Sequence, residues 1–392
     1  MEIKKCPVMV VDCPCGLELF HVRTEEPTFE SPPLELWECP RGHRSHFVSK
    51  RDDLKPTRGL TSALGLIAIL LLNLLLATSA RAATVPDKLI GVNSSRVMSQ
   101  SFPWVAEEAG IFKKYNLDFP MVFIASSPIV TAALLAGEAE MTVTGAIGNI
   151  AAFVKGSTDV VFIGSVKNIM TQTLVAGGNI RKPEDLKGKR IGVSRIGGNS
   201  HYFTVQVLRR YNMEPNRDYT FIQTGGDPET LAGFLSGAFE VANLTPPTDA
   251  QAIAKGYHYV VYGPDLKIPY AAATFVTKRS VIAKRPQVIG NFMRAMADAS
   301  KIVHTDREFY YKVLGKQLRI QDRNVLDAAY NAEIKVLEPR LAIKLEALQA
   351  PLDELAPTDA RAKAVKPQDM VDNRYLDEMT KSGFFDQLWS KK

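Results

Sequence analysis

The sequence predicts an α/β protein of two similar lobes, each a mainly parallel sheet with flanking helices, followed by a helical C-terminal region. Three observations predict it. Short apolar runs alternate with helical stretches from Lys88 to Tyr262, the grammar of βαβ units. One phrase is written twice, a hundred positions apart. "LLAGEAEMTV" (Leu134–Val143) and "FLSGAFEVAN" (Phe234–Asn243) share Leu135/Leu235, Gly137/Gly237 and Glu140/Glu240. Beyond Pro286 the pattern is mostly helical.

In the first lobe "KLIGVN" reads as a strand and "SFPWVAEEAGIFKKY" as a helix, with Ser101 capping and Pro103 in the first turn. "DFPMVFIA" is a strand. "SSPIVTAALLAG" is a helix capped by Ser126 or Ser127 and stopped by Gly137, where a left-handed residue fits cheaply. "EMTVTG", "AIGNIAAFVKG" and "VVFIGS" complete the cycle as strand, helix and strand. The second lobe repeats it with "KRIGVS", "NSHYFTVQVLRRY", "YTFIQT" and then "DPETLAGFLSG", a helix with Asp227 as cap and Gly237 as stop. "FEVANL", "PPTDAQAIAKG" and "YHYVVY" follow. The doubled phrase is thus the second helix of each lobe running into its third strand. Pro286 opens a long amphipathic helix to about His304, a residue expected to face solvent. "QAPLDELAPTDARAKAVKPQ" reads as a loop-rich interruption.

The N-terminus has a different character. Residues 60–77, "LTSALGLIAILLLNLLLA", carry no charge, with Arg51, Lys55 and Arg58 before them and Ala80-Arg81-Ala82 after. A basic region, an apolar core and a small-residue site make an export signal over 59–82. Two readings stand. Cleavage after Ala82 releases residues 83–392, with the true start downstream near Val48 or Leu54. Alternatively the stretch stays as a short anchor in the inner membrane. The extension 1–58 holds all four cysteines. Cys13, Cys15, Cys39 and His43, with His46 in reserve, have the layout of a zinc ribbon holding a structural zinc. The spacings C-x-C and C-x3-H are irregular, and a spurious or unstructured extension is the other reading.

Net charge is +6, from 48 basic and 42 acidic residues without a basic block, which argues against a nucleic-acid partner. The sequence has no H-E-x-x-H, P-loop or nucleophile elbow, and its only histidines after residue 82 are His201, His258 and His304. The chemistry lies in loops after strands, where helix N-termini present free N–H groups. In the first lobe these hold Ser94, Ser95 and Arg96; Ser126 and Ser127; Thr144 and Gly145. In the second they hold Arg195, Asn199, Ser200 and His201; Gly226 and Asp227; Thr245. Such residues suit a small polar ligand; they also serve as caps and turns. Arg96 and Arg195 favour an anion if they face a cleft, and are solvated surface residues if they do not. Phe102, Tyr202 and Tyr270 offer a stacking wall or core packing. Lys167 is the one lysine placed near a strand end of the first lobe.

"WVAEEAGIFKKYNLDF", "EDLKGKRIGVSRIGGNS", "LAGFLSGAFEVANLTPP" and "FVTKRSVIAKRPQVIGNFMRAMADA" resemble the substrate-binding proteins of bacterial ABC importers, of the nitrate/sulfonate/taurine and thiamine-pyrimidine type. "DLKGKRIGV" is the most characteristic phrase, and the likeness covers about Leu89 to Trp389. The resemblance implies the two-lobed periplasmic-binding-protein fold, type II, with crossover strands near Gln172–Gly178 and Tyr270–Thr277. Lobe I is then 84–175 plus 272–392 and lobe II 176–271, with the N-terminal extension outside the fold. It implies a non-catalytic monomer in the periplasm that closes on a small-molecule ligand and delivers it to ABC permease transmembrane subunits. It implies no cofactor in the exported part. Carried over, cleft contacts fall to Ser94, Ser95, Ser126, Thr144, Asn199, Ser200, Gly226, Asp227 and Thr245. The fungal pyrimidine-synthase relatives use a cysteine-rich motif, and no cysteine follows Cys39 here. The competing readings are a pyrimidine-metabolism enzyme on the same fold and a membrane-tethered sensor with a cytoplasmic zinc ribbon.

Overall fold

The computed structural model describes three short strands of the N-terminal region and residues 85–390. The chain divides into two units, Met1–Ala82 and Ala83–Lys392. In the first, β1 (Phe20–Thr24), β2 (Leu34–Glu38) and β3 (Arg44–Val48) form an antiparallel meander. The expected zinc ligands Cys13, Cys15, Cys39 and His43 and the apolar stretch 59–82 lie outside the described residues. Among the described residues no helix is long and apolar enough to cross a membrane.

The second unit begins with β4 (Asp87–Lys88), β5 (Gly91–Asn93), β6 (Leu117–Asp118), β7 (Met121–Phe123), β8 (Met141–Thr144) and β9 (Val160–Ile169). It continues with β10 (Thr173–Ala176), β11 (Arg190–Val193), β12 (Thr220–Gln223), β13 (Val241–Leu244), β14 (His258–Tyr262) and β15 (Pro269–Lys278). Two five-stranded sheets result, ordered β7-β5-β8-β15-β9 and β12-β11-β13-β10-β14. In each, four strands run parallel and one, β15 in the first sheet and β10 in the second, runs antiparallel to them. "KLIGVN" is not one strand: β4 pairs with β6 in a separate ribbon. The crossing segments are themselves sheet strands. β10 joins the second sheet from Thr173, and β15 joins the first from Pro269.

The doubled phrase keeps its hundred-residue offset in space. β5 pairs with β8 through Gly91↔Met141, and β11 pairs with β13 through Ile191↔Val241. Gly137 and Gly237 adopt φ of +80° and +77° where their helices stop. The paired glutamates act alike: Glu140 binds Arg285 and Glu240 binds Arg190, whose guanidinium holds the Glu240 carboxyl at about 2. Two glycines admit aromatic rings. A Cβ on Gly91 would lie 2.1 Å from Phe119, and one on Gly192 2.2 Å from Phe239.

The C-terminal region differs from expectation in two places. The stretch read as loop-rich contains a helix, Glu346–Leu355, with Pro351 inside it. Ala347, Leu348 and Leu352 are at most 1% exposed, and that burial offsets the backbone bond proline forfeits. His304 lies within helix Pro286–Thr305, half-buried, its ring edge-on to Trp389 at 5.6 Å.

Two predictions follow from this packing. Gly192→Ala should cost about 1–3 kcal/mol through the Phe239 clash, read as a lower denaturant midpoint at unchanged slope. Asp249, buried in helix Thr248–Ala254, is pushed by burial up to about 7; the Ala250 N–H pulls it back and the Glu333 charge adds to the rise. The folded chain therefore keeps a proton that the unfolded chain releases near 3.8. Stability should fall as pH rises from about 4 to about 7. Asp249→Asn should flatten that fall in thermal melts, and an unchanged slope would show that Asp249 does not cause it.

Candidate functional site

The strand ends of the two sheets meet across one enclosed space. From the first lobe it is lined by Ser95, Val97, Ser99, Gln100 and Lys167. Ser194, Asn199, Ser200, Asp227 and Thr245 line it from the second, with Gln172 from the link between the sheets and Ala272 from β15. Its volume is about 20 Å³, room for about one water. The wider groove beside Leu345, Asp353 and Lys366 belongs to the C-terminal region and contains none of the strand-end loops.

Each wall is built from its loops. Gln100 organises the turn after β5: its Oε1 accepts the N–H groups of Ser94 and Ser95, both at 3.0 Å, and its Nε2 donates to Ser94 Oγ. Ser94 thus stands behind the lining. Ser126 holds a left-handed φ of +90°, a strained backbone for serine. Neither Ser126 nor Ser101 caps its helix with its side chain. Ser101 Oγ instead donates to Met98 O. In the second lobe Ser200 Oγ accepts the Ser194 N–H at 3.0 Å. Asp227 was expected as a helix cap; its Oδ1 instead accepts the Thr245 N–H at 3.0 Å, across to the next strand end. Burial pushes the Asp227 carboxyl up to about 6, against the hydrogen bonds from Thr245 and the charge of Lys167.

The lobes also touch directly. Tyr270 OH accepts the Ile147 N–H at 3.0 Å and donates to Asn199 Oδ1 at 2.6 Å. Tyr202 lies against the Tyr270 ring at 4.9 Å, while Phe102 is core. The Asn199 amide occupies the place of a Cβ on Gly145, 2.1 Å away. Gly145 is therefore a lobe contact, not part of the lining.

Of the residues singled out from sequence, Ser95, Asn199, Ser200, Asp227 and Thr245 come together around the space. Ser126, Ser127 and Thr144 are not in its lining; they are buried with unpartnered hydroxyls. Gly226 precedes the Asp227 helix. Arg96 is exposed and stacks over Phe123 at 4.9 Å, on an outer groove of about 430 Å³. Arg195 is exposed, and neither arginine lines the enclosed space. His201 packs against Phe221 at 4.7 Å, and burial lowers its pKa. Sequence reasoning missed Gln100 and Gln172. It also missed the partner of Lys167: that ammonium, 1% exposed, is hydrogen-bonded to Thr171 Oγ1 and paired with Glu333, which is fully buried.

Comparison with known proteins agrees with this architecture. Bacillus subtilis (strain 168) YtlA, whose name presents it as a candidate binding protein, is 26% identical over 211 residues. The match covers 51% of this chain and spans 61% of the length of that curated relative. The alkanesulfonate-binding protein SsuA of Xanthomonas axonopodis pv. citri, solved with MOPS bound, superposes with a TM-score of 0.63 at 19% identity. That match covers 74% of this chain and 100% of the SsuA chain. The desulfurization enzyme DszB shares the fold too, with a TM-score of 0.59 at 13% identity over 76% of this chain and 99% of DszB. The NMT1/THI5-like family model matches residues 101–308, more than half of the 392 residues, and the chain belongs to that family.

Proposed function

We propose that the chain is the solute-binding component of an ABC importer: a periplasmic receptor that closes its two lobes on a small polar molecule and delivers it to membrane permease subunits. The observation that carries this reading is the polar space enclosed between two repeated sheets at their strand ends. The SsuA likeness supports the same architecture. Binding is favoured over catalysis by the surroundings of the space. His201 faces Phe221, His258 Nε2 meets Ile180 O at 2.6 Å, and His304 Nδ1 meets Ser300 O at 2.8 Å. Among the described residues no histidine lines the space, so none of them is placed to activate a nucleophile there.

Thermal melting of the full chain against small anions, sulfonates, amino compounds, aromatic acids and pyrimidines tests the reading. A ligand at a hundred times its dissociation constant should add about 2.7 kcal/mol, a rise of a few degrees. The compound should be recovered unchanged; its conversion would move the assignment to an enzyme. Gly145→Ala should weaken binding of that ligand about tenfold or more, because the methyl displaces the Asn199 amide from the closed contact. Unaltered affinity would show that closure does not use this contact.

A further inference from the structure

The charge of the enclosed space is unlike that of an anion site. Its single lining cation among the described residues, Lys167, is already paired with Glu333 and hydrogen-bonded to Thr171. Arg96 and Arg195 are exposed and outside the lining. What remains without an ion-pair partner among the described residues is acidic. Asp227 lines the space at 9% exposure; it takes hydrogen bonds from Thr245, and no described residue forms an ion pair with it. Asp249, 1% exposed, lies near enough for its charge and that of Asp227 to disfavour each other. Gln172 adds an independent observation. It is 5% exposed, lines the same space, and its Oε1 is buried without a hydrogen-bond partner. A buried acceptor left unmatched is costly, and a ligand donor satisfies it.

Resting on the receptor reading, we infer that the ligand carries a protonated amine, received by the Asp227 carboxylate and Gln172 Oε1. An ammonium has three donors and no acceptor, which matches a carboxylate and an orphan carbonyl oxygen. It also supplies an ion-pair partner to Asp227, which feels the Lys167 charge but makes no ion pair among the described residues. An oxyanion placed between the same two groups meets a carboxylate and a carbonyl oxygen, which repel it.

The test is calorimetric titration of the full chain with three matched pairs: taurine and ethanesulfonate, 4-aminobutyrate and butyrate, benzylamine and benzyl alcohol. Probes are used up to ~50 mM, above the millimolar dissociation constants expected of good fragments this small. The amine of at least one pair should bind about ten- to a hundredfold tighter than its amine-free partner. Asp227→Asn, which keeps an acceptor for the Thr245 N–H, should abolish that preference while its melting curve stays cooperative. Gln172→Leu should reduce it without touching the carboxylate. Equal or tighter binding of the amine-free members overturns the inference and leaves the receptor reading standing. Binding by none of the six overturns it as well, and the receptor reading is then decided by the wider melting panel.

Discussion

The ion pair between Lys167 and Glu333 holds the place where the chain leaves its first lobe. Both side chains are essentially without solvent contact. Removing one partner of such a pair strands a charge, typically at a cost of about 3–5 kcal/mol. The pair is supported by its setting. Thr171 bonds both members, Lys167 makes a backbone bridge with Leu337, and Glu338 N donates to Val166 O. A C-terminal helix, Arg323–Glu333, is thereby fastened to β9 six residues before β10 enters the other sheet. The pair also bears on the enclosed space, because the one described lysine of its lining already has a carboxylate partner.

From that anchor the two lobes follow one plan. Each sheet places a strand from across the divide in its fourth position: β15 in the first, β10 in the second. Two links therefore join the lobes, 170–172 and 263–268, and Met170 N donates to Ile268 O at 3.0 Å between them. Paired short links of this kind let lobes rotate as rigid bodies while their cores stay packed. Contacts across the divide are both polar and apolar: Tyr270 with Asn199, Met98 N with Pro246 O at 3.4 Å, Glu354 with Gln206 and Arg209, and the Tyr202 ring against Tyr270.

Much of this was legible before any coordinates, for local reasons. Strand and helix order follows from apolar periodicity, and the doubled phrase marks equivalent strands because a glycine stop and a buried strand start are sequence-local features. The strand-end loops were legible because parallel sheets present their helix N-termini there. Side-chain direction was not. Asp227 sits where a cap would, but its carboxylate serves Thr245, eighteen residues on. Arg96 is in the expected loop, yet the Phe123 ring draws it outward. Lys167 had a signal, a charge inside an apolar strand, whereas Glu333 lies 166 residues away with nothing nearby to mark it. The helix around Pro351 was hidden because tertiary burial outweighed a local breaker.

The same reasoning explains how one scaffold hosts unlike ligands. The fold contributes hinge links, strand ends and helix N-termini, and these favour negative charge only weakly and only near the first turn. Side chains brought together from distant segments set the sign. Here one lysine comes already neutralised by a distant glutamate, and a carboxylate takes the lining position that an arginine in the same loop would have reversed. Likeness to a sulfonate-binding protein or to a desulfurization enzyme is therefore informative about architecture and silent about charge, because the architecture is shared and the few residues that decide charge are not dictated by it.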